Sequence, residues 1–381
     1  MTSSISRRKF FSTVGAAAAS PLLAQSTAAK LAGMRVGVDT DKQPRAVQSK
    51  GAIAMLDYVK ENGFDGAAFR LILDLSPTLD PVQLKEAKSH ADSLGLFLEV
   101  GVGWMNPYNT PERPEIRRFG GGDYRLAMER MLNACRLIDC SELWAVSAHT
   151  VHGSPSFVAY DRLRTDVSWG DQLVAMTKFI NSLAPMLRDL KLRLNLEAHG
   201  DETSHELLRL INEVGPDVVG VTLDSGNFAL EGDVPMDALR RLAPYINYAQ
   251  AKDGILYHGK NGLTLQTRTI GEGVFDWPAA LDVLSKYHPN LHICIENYRA
   301  ISPLPWADPK NRRHYPELTD ADVKEFERLA AGSEERIRRG EILGVDEYQK
   351  LPFGDDDRMK SYQASAAYLK KLIKEKHLGH V

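Results

Sequence analysis

The sequence predicts an α/β fold, a (β/α)8 TIM barrel with a C-terminal helical extension. Short apolar runs alternate with helical stretches from Met34 to about residue 300, which is the order of a barrel built from βα units. The runs are largely apolar, as expected for strands of a buried parallel sheet. The alternative is an open doubly wound sheet, but no GxGxxG motif follows the first run, and this absence favours the barrel.

The pattern predicts eight strands, each followed by a helix. We predict strands within 34–39, 66–75, 96–101, 142–147, 192–197, 218–224, 246–251 and 291–296. Helices are predicted over 45–61, 80–94, 123–138, 171–187, 204–214, from 234 to about 245, and from 275 onward. Residues 255–273 indicate a hairpin or lid. From about residue 301 the chain is rich in proline, and two polar amphipathic helices are predicted over 319–341 and 358–375.

Composition excludes several classes of protein. The 381 residues carry a formal net charge of −3, and a nucleic-acid-binding surface would need a clear basic excess. Three cysteines without a CxxC spacing argue against a disulfide framework or a thiolate metal site. The length suits one barrel domain over 34–381.

The first 29 residues have the features of an export signal. Arg7 and Arg8 precede two phenylalanines, and a mostly apolar run over 12–24 is followed by small residues. The arginine pair resembles a twin-arginine signal, which the export machinery recognises. We therefore expect an exported, periplasmic protein without stable membrane association, because no apolar run is long enough to span a bilayer.

Four polar side chains follow the last four predicted strands where the apolar sequence stops. They are Glu197, Asp224, Gln250 and Glu296, separated by 27, 26 and 46 residues. In such barrels the active site lies at the C-terminal ends of the strands. Three carboxylates at one barrel mouth would repel each other, and a divalent cation would relieve that repulsion. Oxygen ligands favour Mn²⁺ or Mg²⁺, with Zn²⁺ as an alternative.

These strand ends form a recognisable set of motifs. The motifs are the segments 195–200 (Asn-Leu-Glu-Ala-His-Gly), 222–227 (Thr-Leu-Asp-Ser-Gly-Asn), 250–253 (Gln-Ala-Lys-Asp), 271–277 (Gly-Glu-Gly-Val-Phe-Asp-Trp) and 295–297 (Ile-Glu-Asn). Together they resemble the xylose isomerase-like TIM barrel superfamily, in particular its sugar phosphate isomerase/epimerase family, over 34–298. The resemblance implies that Glu197, Asp224, Gln250 and Glu296 hold one metal ion. It also implies that Glu197 and Glu296 exchange protons with a substrate carbon.

Two positions depart from that family's pattern. Ketose 3-epimerases of this group usually carry histidine as the third ligand and again three residues after the aspartate ligand, where this chain has Gln250 and Asn227. Glutamine at the third position is more similar to the dehydratase branch. The DNA-repair endonucleases of the superfamily use histidine-rich strand ends, which strands 2 and 3 lack here.

Six further residues are candidates for substrate binding. Each also has a structural interpretation as a core, loop or turn residue. The candidates are His199, His149, Asn227, Lys252, Asp253 and Trp104.

The predicted site supports three hypotheses. The first is a divalent-metal-dependent isomerase or epimerase acting on a sugar or keto-sugar through an enediolate. The second is a metal-dependent lyase or dehydratase acting on a keto-sugar, keto-glycoside or related polyol. The third is a non-catalytic carbohydrate-binding barrel, which a complete set of metal ligands argues against. Export favours a free sugar or glycoside over a sugar phosphate.

Overall fold

The computed structural model describes residues 33–108, 114–147, 162–163 and 166–379. The predicted signal segment 1–29 and the candidate His149 lie outside the described residues. All that follows refers to the described part of the chain.

Eight parallel strands close into a barrel, which confirms the predicted fold class. The barrel strands are β1 (Arg35–Asp39), β2 (Gly66–Phe69), β3 (Phe97–Trp104), β4 (Glu142–Val146), β5 (Arg193–Glu197), β6 (Val219–Asp224), β7 (Ile246–Ala251) and β10 (His292–Ile295). Their order around the barrel is β1-β10-β7-β6-β5-β4-β3-β2.

Helices pack around the outside of the barrel or against the segment inserted after its seventh strand. They are α1 (Arg45–Gln48), α2 (Ala52–Glu61), α3 (Pro81–Ser93), α4 (Pro114–Arg117), α5 (Tyr124–Leu137), α6 (Trp169–Leu190), α7 (Ser204–Val214), α8 (Phe228–Glu231), α9 (Pro235–Leu242), α10 (Trp277–Tyr287), α11 (Asp320–Arg338), α12 (Val345–Lys350) and α13 (Asp355–Glu375). Several begin at side-chain caps, as Asp80, Asp123 and Thr203 accept hydrogen bonds from backbone N–H groups of the first turn.

The first two βα units differ from the prediction in detail. The helix predicted over 45–61 is broken into α1 and α2 because Gly51 adopts a φ of 91°, a left-handed conformation that a helix cannot contain. Within the predicted range 66–75, β2 occupies only Gly66–Phe69, and a 3₁₀ turn over Ile72–Asp74 follows it. The early end of β2 leaves Arg70 directly at the barrel mouth.

The segment inserted after β7 is a hairpin, as one of the two interpretations predicted. β8 (Asp253–Gly259) pairs antiparallel with β9 (Gly262–Arg268), and β11 (Ile301–Pro303) joins β9 to make a three-stranded sheet. Leu256 and Leu265 of this sheet pack with Phe326 of α11 in a second apolar core. The hairpin is therefore fixed against the C-terminal extension.

The extension also completes the outer layer of the barrel. α13 contributes Met359, Tyr362, Leu369 and Ile373 to the main core. The backbone N–H of Met34 donates to the Leu378 carbonyl at 2.8 Å, so the end of the described chain pairs with the start of β1. The two predicted C-terminal helices are confirmed as α11 and α13, with α12 between them.

Side chains fill the interior of the barrel below its mouth. One buried cluster inside it includes Ala68, Phe97, Trp144, Tyr248 and Cys294. This packed interior forms a floor for anything bound at the C-terminal ends of the strands. Among the described helices, none has both the length and the apolar character needed to cross a bilayer.

Candidate active site

The four predicted metal ligands lie together at the C-terminal mouth of the barrel. Glu197 and Asp224 are the last residues of β5 and β6, Gln250 lies near the end of β7, and Glu296 directly follows β10. One carboxylate oxygen each of Glu197, Asp224 and Glu296 lies within 4.8 Å of the others, and all three residues are buried. We call these three residues the acidic cluster.

Gln250 occupies the gap between two members of the acidic cluster. Its Cα pairs in register with Asp224 on one side and with Cys294, two residues before Glu296, on the other. Because side chains alternate along a strand, Gln250 points into the barrel with Tyr248. Its Nε2 donates to Asp39 Oδ2 at 3.2 Å. Its Oε1 is buried and has no hydrogen-bond partner among the described residues.

Arg70, directly after β2, reaches across the mouth to the acidic cluster. It hydrogen-bonds and ion-pairs with Glu296, and its Nη1 lies 3.4 Å from Glu197 Oε2. Its Nε lies 3.4 Å from Asp39 Oδ2. The guanidinium also stacks over the Trp144 ring, at 4.7 Å from the ring centroid. One cation therefore joins carboxylates that come from three strands.

Lys252 is a second cation in the same place. Its Nζ lies 2.5 Å from Asp224 Oδ2 and 3.1 Å from Glu296 Oε2, and the side chain is only 2% exposed. The ring of Tyr298 covers the ammonium at 5.1 Å. Lys252, which the sequence suggested as a substrate-binding residue, thus contacts two of the proposed metal ligands directly.

Three neutral groups complete the surroundings of the acidic cluster. Asn227 Nδ2 donates to Asp224 Oδ2 at 2.8 Å and to Glu197 Oε1 at 3.2 Å, and Trp144 Nε1 donates to Glu197 Oε2 at 2.6 Å. His199 Nε2 lies 3.9 Å from Glu197 Oε1. Glu197 and Asp224 are therefore held by these neutral groups as well as by ion pairs, Glu197 with Arg70 and Asp224 with Lys252.

Burial and charge shift the pKa values of these groups in different directions. Burial raises the pKa of Asp224 to about 8, against the opposing effect of Lys252, and burial raises the pKa of Glu197. Burial opposes ionisation of Glu296 too, but Arg70 and Lys252 outweigh it and lower that pKa to about 2. Burial, reinforced by Lys252 and Arg70, lowers the pKa of His199 to about 4, so its imidazole is neutral at pH 7.

Asp253 and Trp104 have other surroundings. The Asp253 carboxylate accepts backbone N–H bonds from Gly254, Gly271, Gly273 and Phe275 at 2.8–3.3 Å. It therefore fixes the loop between β9 and α10, and these bonds account for its oxygens without a substrate. Trp104, the last residue of β3, packs edge-on against Trp144 at 6.3 Å between ring centroids. Trp144 in turn contacts Glu197, so Trp144 links Trp104 to the acidic cluster.

Three residues of the site were not among the predicted site residues. Asp39, Arg70 and Trp144 touch Gln250, the acidic cluster or both. Asp39 ends β1 and Arg70 directly follows β2, so polar residues at strand ends were a usable signal for both. Trp144 lies inside the apolar run of β4, and the sequence carries no signal that separates it from a core residue.

The arrangement combines ionisable oxygens with fixed N–H donors in a buried pocket floor. Two carboxylates, Glu197 and Glu296, are available to accept or deliver a proton, and Arg70 and Lys252 stabilise negative charge next to them. Such a combination suits proton transfer at a carbon whose neighbouring oxygen becomes negatively charged.

Comparison with known proteins gives one similar curated protein. The chain is 25% identical over 214 residues to the uncharacterized protein YihM of Escherichia coli strain K12. The match covers 56% of this chain and 65% of YihM, so it spans less than two thirds of that relative.

Solved structures share the barrel. L-ribulose 3-epimerase superposes with a TM-score of 0.53 at 15% identity, covering 91% of this chain and 97% of the epimerase. The apo form of the 3-keto-D-glucoside 4-epimerase YcjR from E. coli gives a TM-score of 0.50 at 16% identity, covering 77% and 99%. At these identities the likeness shows the fold.

The match to a family model covers more of the chain than the match to YihM. The model of the xylose isomerase-like TIM barrel matches residues 56–313, which include the four predicted ligands and most of the barrel. Together with the closed eight-stranded parallel barrel, this match establishes that the chain belongs to the xylose isomerase-like TIM barrel family.

Proposed function

We propose that the protein is a divalent-metal-dependent isomerase or epimerase that acts on a sugar or keto-sugar. The observation that carries the proposal is the convergence of Glu197, Asp224 and Glu296 from the ends of barrel strands into one buried acidic cluster, with Gln250 near the end of the strand between those of Asp224 and Glu296. Carboxylates buried this closely are costly unless cations compensate them.

The charges and donors present fit a divalent ion. Four buried carboxylates, Asp39 and the acidic cluster, face two cations, the buried Lys252 and the 16% exposed Arg70. If all ionise, two negative charges are left over, which is the charge that one divalent ion balances. The buried Gln250 Oε1 has no partner among the described residues, as expected for an oxygen that ligates a cation. All four donors are hard oxygens, which favour Mn²⁺ or Mg²⁺.

The protein's own residues supply the proton transfer. A bound divalent ion would polarise a carbonyl oxygen of the substrate and the neighbouring hydroxyl oxygen. It would so acidify the C–H of the carbon that bears the hydroxyl. Glu197 and Glu296 are the groups that remove the proton and return it. Return to the opposite face gives an epimer, and return to the neighbouring carbon gives an isomer.

Other residues hold the reacting oxygens. Arg70 and Lys252 donate N–H groups to the oxygen that becomes negatively charged in an enediolate, since both already lie against the acidic cluster. The neutral His199 imidazole, about a quarter exposed, is placed to hydrogen-bond a sugar hydroxyl. The partly buried Trp104 ring, which packs edge-on against Trp144, offers an apolar wall of the kind that packs against a sugar ring.

The two epimerases of the same fold support the choice of a sugar over another carbonyl compound. By their names, one acts on L-ribulose and the other on a 3-keto-D-glucoside. We propose the same general class, a free sugar, keto-sugar or glycoside, for this chain. The expected export from the cytoplasm favours an unphosphorylated substrate.

The test is solvent proton exchange. Manganese-loaded protein is incubated in D₂O with a panel of ketoses, aldoses and 3-keto-glycosides, and the C–H signals are followed by NMR. We expect loss of one C–H signal together with appearance of an epimer or isomer, both abolished by a chelator. Loss of a hydroxyl or glycosyl group instead of rearrangement would identify a lyase.

A matched control separates the proposed site from the rest of the barrel. Glu99 also carries a carboxylate inside the barrel, but it lies on β3 near the opposite end and contacts His292 at 2.9 Å. Glu99→Gln should exchange at the wild-type rate. Exchange that persists unchanged when both Glu197 and Glu296 are replaced by glutamine would overturn the proposal.

A further inference from the structure

Gln250 is the only proposed ligand whose side chain has two chemically different ends. An amide presents a carbonyl oxygen at one end and an NH₂ group at the other. Only the oxygen can ligate a cation, and the NH₂ end would turn hydrogen atoms toward it. A carboxylate ligand has no such problem, because both of its ends are oxygens.

The structure fixes which end of Gln250 faces which way. Nε2 lies 3.2 Å from Asp39 Oδ2, and a carboxylate accepts hydrogen bonds but does not donate them. Turning the amide over would oppose two acceptor oxygens in a site where Gln250 and Asp39 are each only 1% exposed. Water cannot easily relieve that contact, so the orientation with Nε2 toward Asp39 is the favoured one.

Asp39 is itself held in place for this contact. Its Oδ1 accepts the backbone N–H of Asp41 at 2.8 Å, and its Oδ2 lies 3.4 Å from Arg70 Nε. The strand that carries it, β1, neighbours β10, and β10 neighbours β7. Asp39 therefore reaches Gln250 across one intervening strand, so the contact is made by the two side chains and not by backbone pairing.

We propose that Asp39 is a positioning residue that fixes the Gln250 amide with its carbonyl oxygen toward the acidic cluster, and so makes glutamine a competent third ligand. The inference rests on the proposed metal-dependent function. It also accounts for a carboxylate that the proton transfer does not use. Hydrogen-bonding partners of ligands commonly affect metal affinity by about 10–100-fold.

The experiment is a double-mutant cycle read out as the dissociation constant for Mn²⁺, measured by calorimetry without substrate. Asp39→Asn replaces one carboxylate oxygen by an NH₂ group, so that residue 39 can pair with either end of the Gln250 amide, and we expect at least about 10-fold weaker Mn²⁺ binding. Gln250→Glu has two oxygen ends and needs no orientation. In that background Asp39→Asn should not weaken Mn²⁺ binding, because an oxygen of residue 250 already faces Asp39 and the substitution relieves that contact between two carboxylates.

Two further variants separate orientation of the amide from loss of charge beside the site. Asp41→Asn deletes a nearby carboxylate that lies 3.9 Å from Arg70 and is 43% exposed. Asp39→Glu keeps the charge but moves the carboxylate by one methylene. We expect Asp41→Asn to change Mn²⁺ binding less than about threefold and Asp39→Glu to weaken it clearly.

The outcomes distinguish this inference from the proposed function. An equal loss from Asp39→Asn in the wild-type and Gln250→Glu backgrounds would mean that Asp39 acts through its charge alone, and the inference would be wrong. Unchanged affinity in both backgrounds would overturn it as well. A wild-type protein that binds no Mn²⁺ would instead overturn the proposed metal site. If Asp39→Asn fails to fold, the Asp39→Glu result decides.

Discussion

The two halves of the barrel contribute different kinds of residue to the mouth. The ends of β5, β6, β7 and β10 supply oxygens, from Glu197, Asp224, Gln250 and Glu296. The ends of β1 and β2, together with β4, supply Asp39, Arg70 and Trp144, which hydrogen-bond or ion-pair with those oxygen-bearing side chains. We call the first set the ligand half and the second the supporting half. The proposed ligands thus come from one part of the closed sheet, and the supporting half adds to the contacts that Asn227 and Lys252 make within the ligand half.

The largest effect should come from the ligand half. Glu197→Gln and Glu296→Gln keep an oxygen and nearly the same volume but remove the proton acceptor. At saturating Mn²⁺, turnover and C–H exchange should each fall about 10²–10⁴-fold, the usual contribution of positioned acid–base catalysis. Either variant exchanging substrate protons at the wild-type rate while fully loaded would show that its carboxylate is only a ligand.

Gln250 should behave differently from the two glutamates although it belongs to the same half. Gln250→His replaces one neutral ligand by another, and imidazole is also a good donor for Mn²⁺ and Zn²⁺. We expect metal binding to persist and turnover to fall less than in either glutamate variant. Metal content by mass spectrometry and turnover, measured side by side, check this.

The supporting half should be tested first through stability. Arg70→Met leaves buried carboxylates of Asp39, Glu197 and Glu296 without their shared cation. Removing one partner of a buried ion pair commonly costs about 3–5 kcal/mol, so unfolding in chelator should occur at clearly lower denaturant. Added Mn²⁺ should recover part of that loss, since ligand binding stabilises the folded state. Arg240→Met, in an exposed pair with Asp237, is the control and should change little.

This difference between halves also explains how much could be predicted from the sequence. Glu197, Asp224 and Glu296 each interrupt an apolar run, so strand order and spacing are enough to bring them together in a barrel. Arg70 also follows a strand, but an arginine at a strand end is usually exposed, and only the early end of β2 places it over the mouth. The Trp144–Glu197 and Asp39–Gln250 contacts depend on which inward-facing side chains meet across the barrel. The alternation of side chains along a strand does not determine this.

A smaller effect is expected at Trp144. Trp144→Phe keeps an aromatic ring under Arg70 but removes the N–H that lies 2.6 Å from Glu197 Oε2. A hydrogen bond to a charged group contributes about 1.5–3 kcal/mol. If Trp144 orients Glu197, turnover at saturating metal should fall about 10-fold or more while the substrate KM changes little. Trp104→Phe, at the ring that packs edge-on against Trp144, should lower turnover less. Equal losses of turnover in the two variants would show that the Trp144 N–H does not orient Glu197.

The smallest effect concerns the hairpin that follows β7 in the ligand half. Exposed His258 on β8 contacts two glutamates of α11, with Nδ1 2.9 Å from Glu334 Oε1 and Nε2 2.7 Å from Glu327 Oε2. Hydrogen bonds to Glu334 and Glu327 raise the pKa of His258. Protonated His258 therefore stabilises the packing of the hairpin on α11. Because its folded-state pKa lies above the unfolded one, this stabilisation is complete below about pH 6.5 and is lost as pH rises through the folded-state pKa.

Hydrogen exchange of the hairpin amides should therefore be slower, after correction for the intrinsic rate, at about pH 5.5 than at about pH 8.5. The difference should disappear in His258→Gln. It should remain in Glu325→Gln, which removes a carboxylate of the same helix that pairs with Arg328 instead of the hairpin. Since His258 is about half exposed, the change in protection should be small and confined to β8 and β9. A change that also reached β5 or β6 would mean that the hairpin and the ligand half open as one unit.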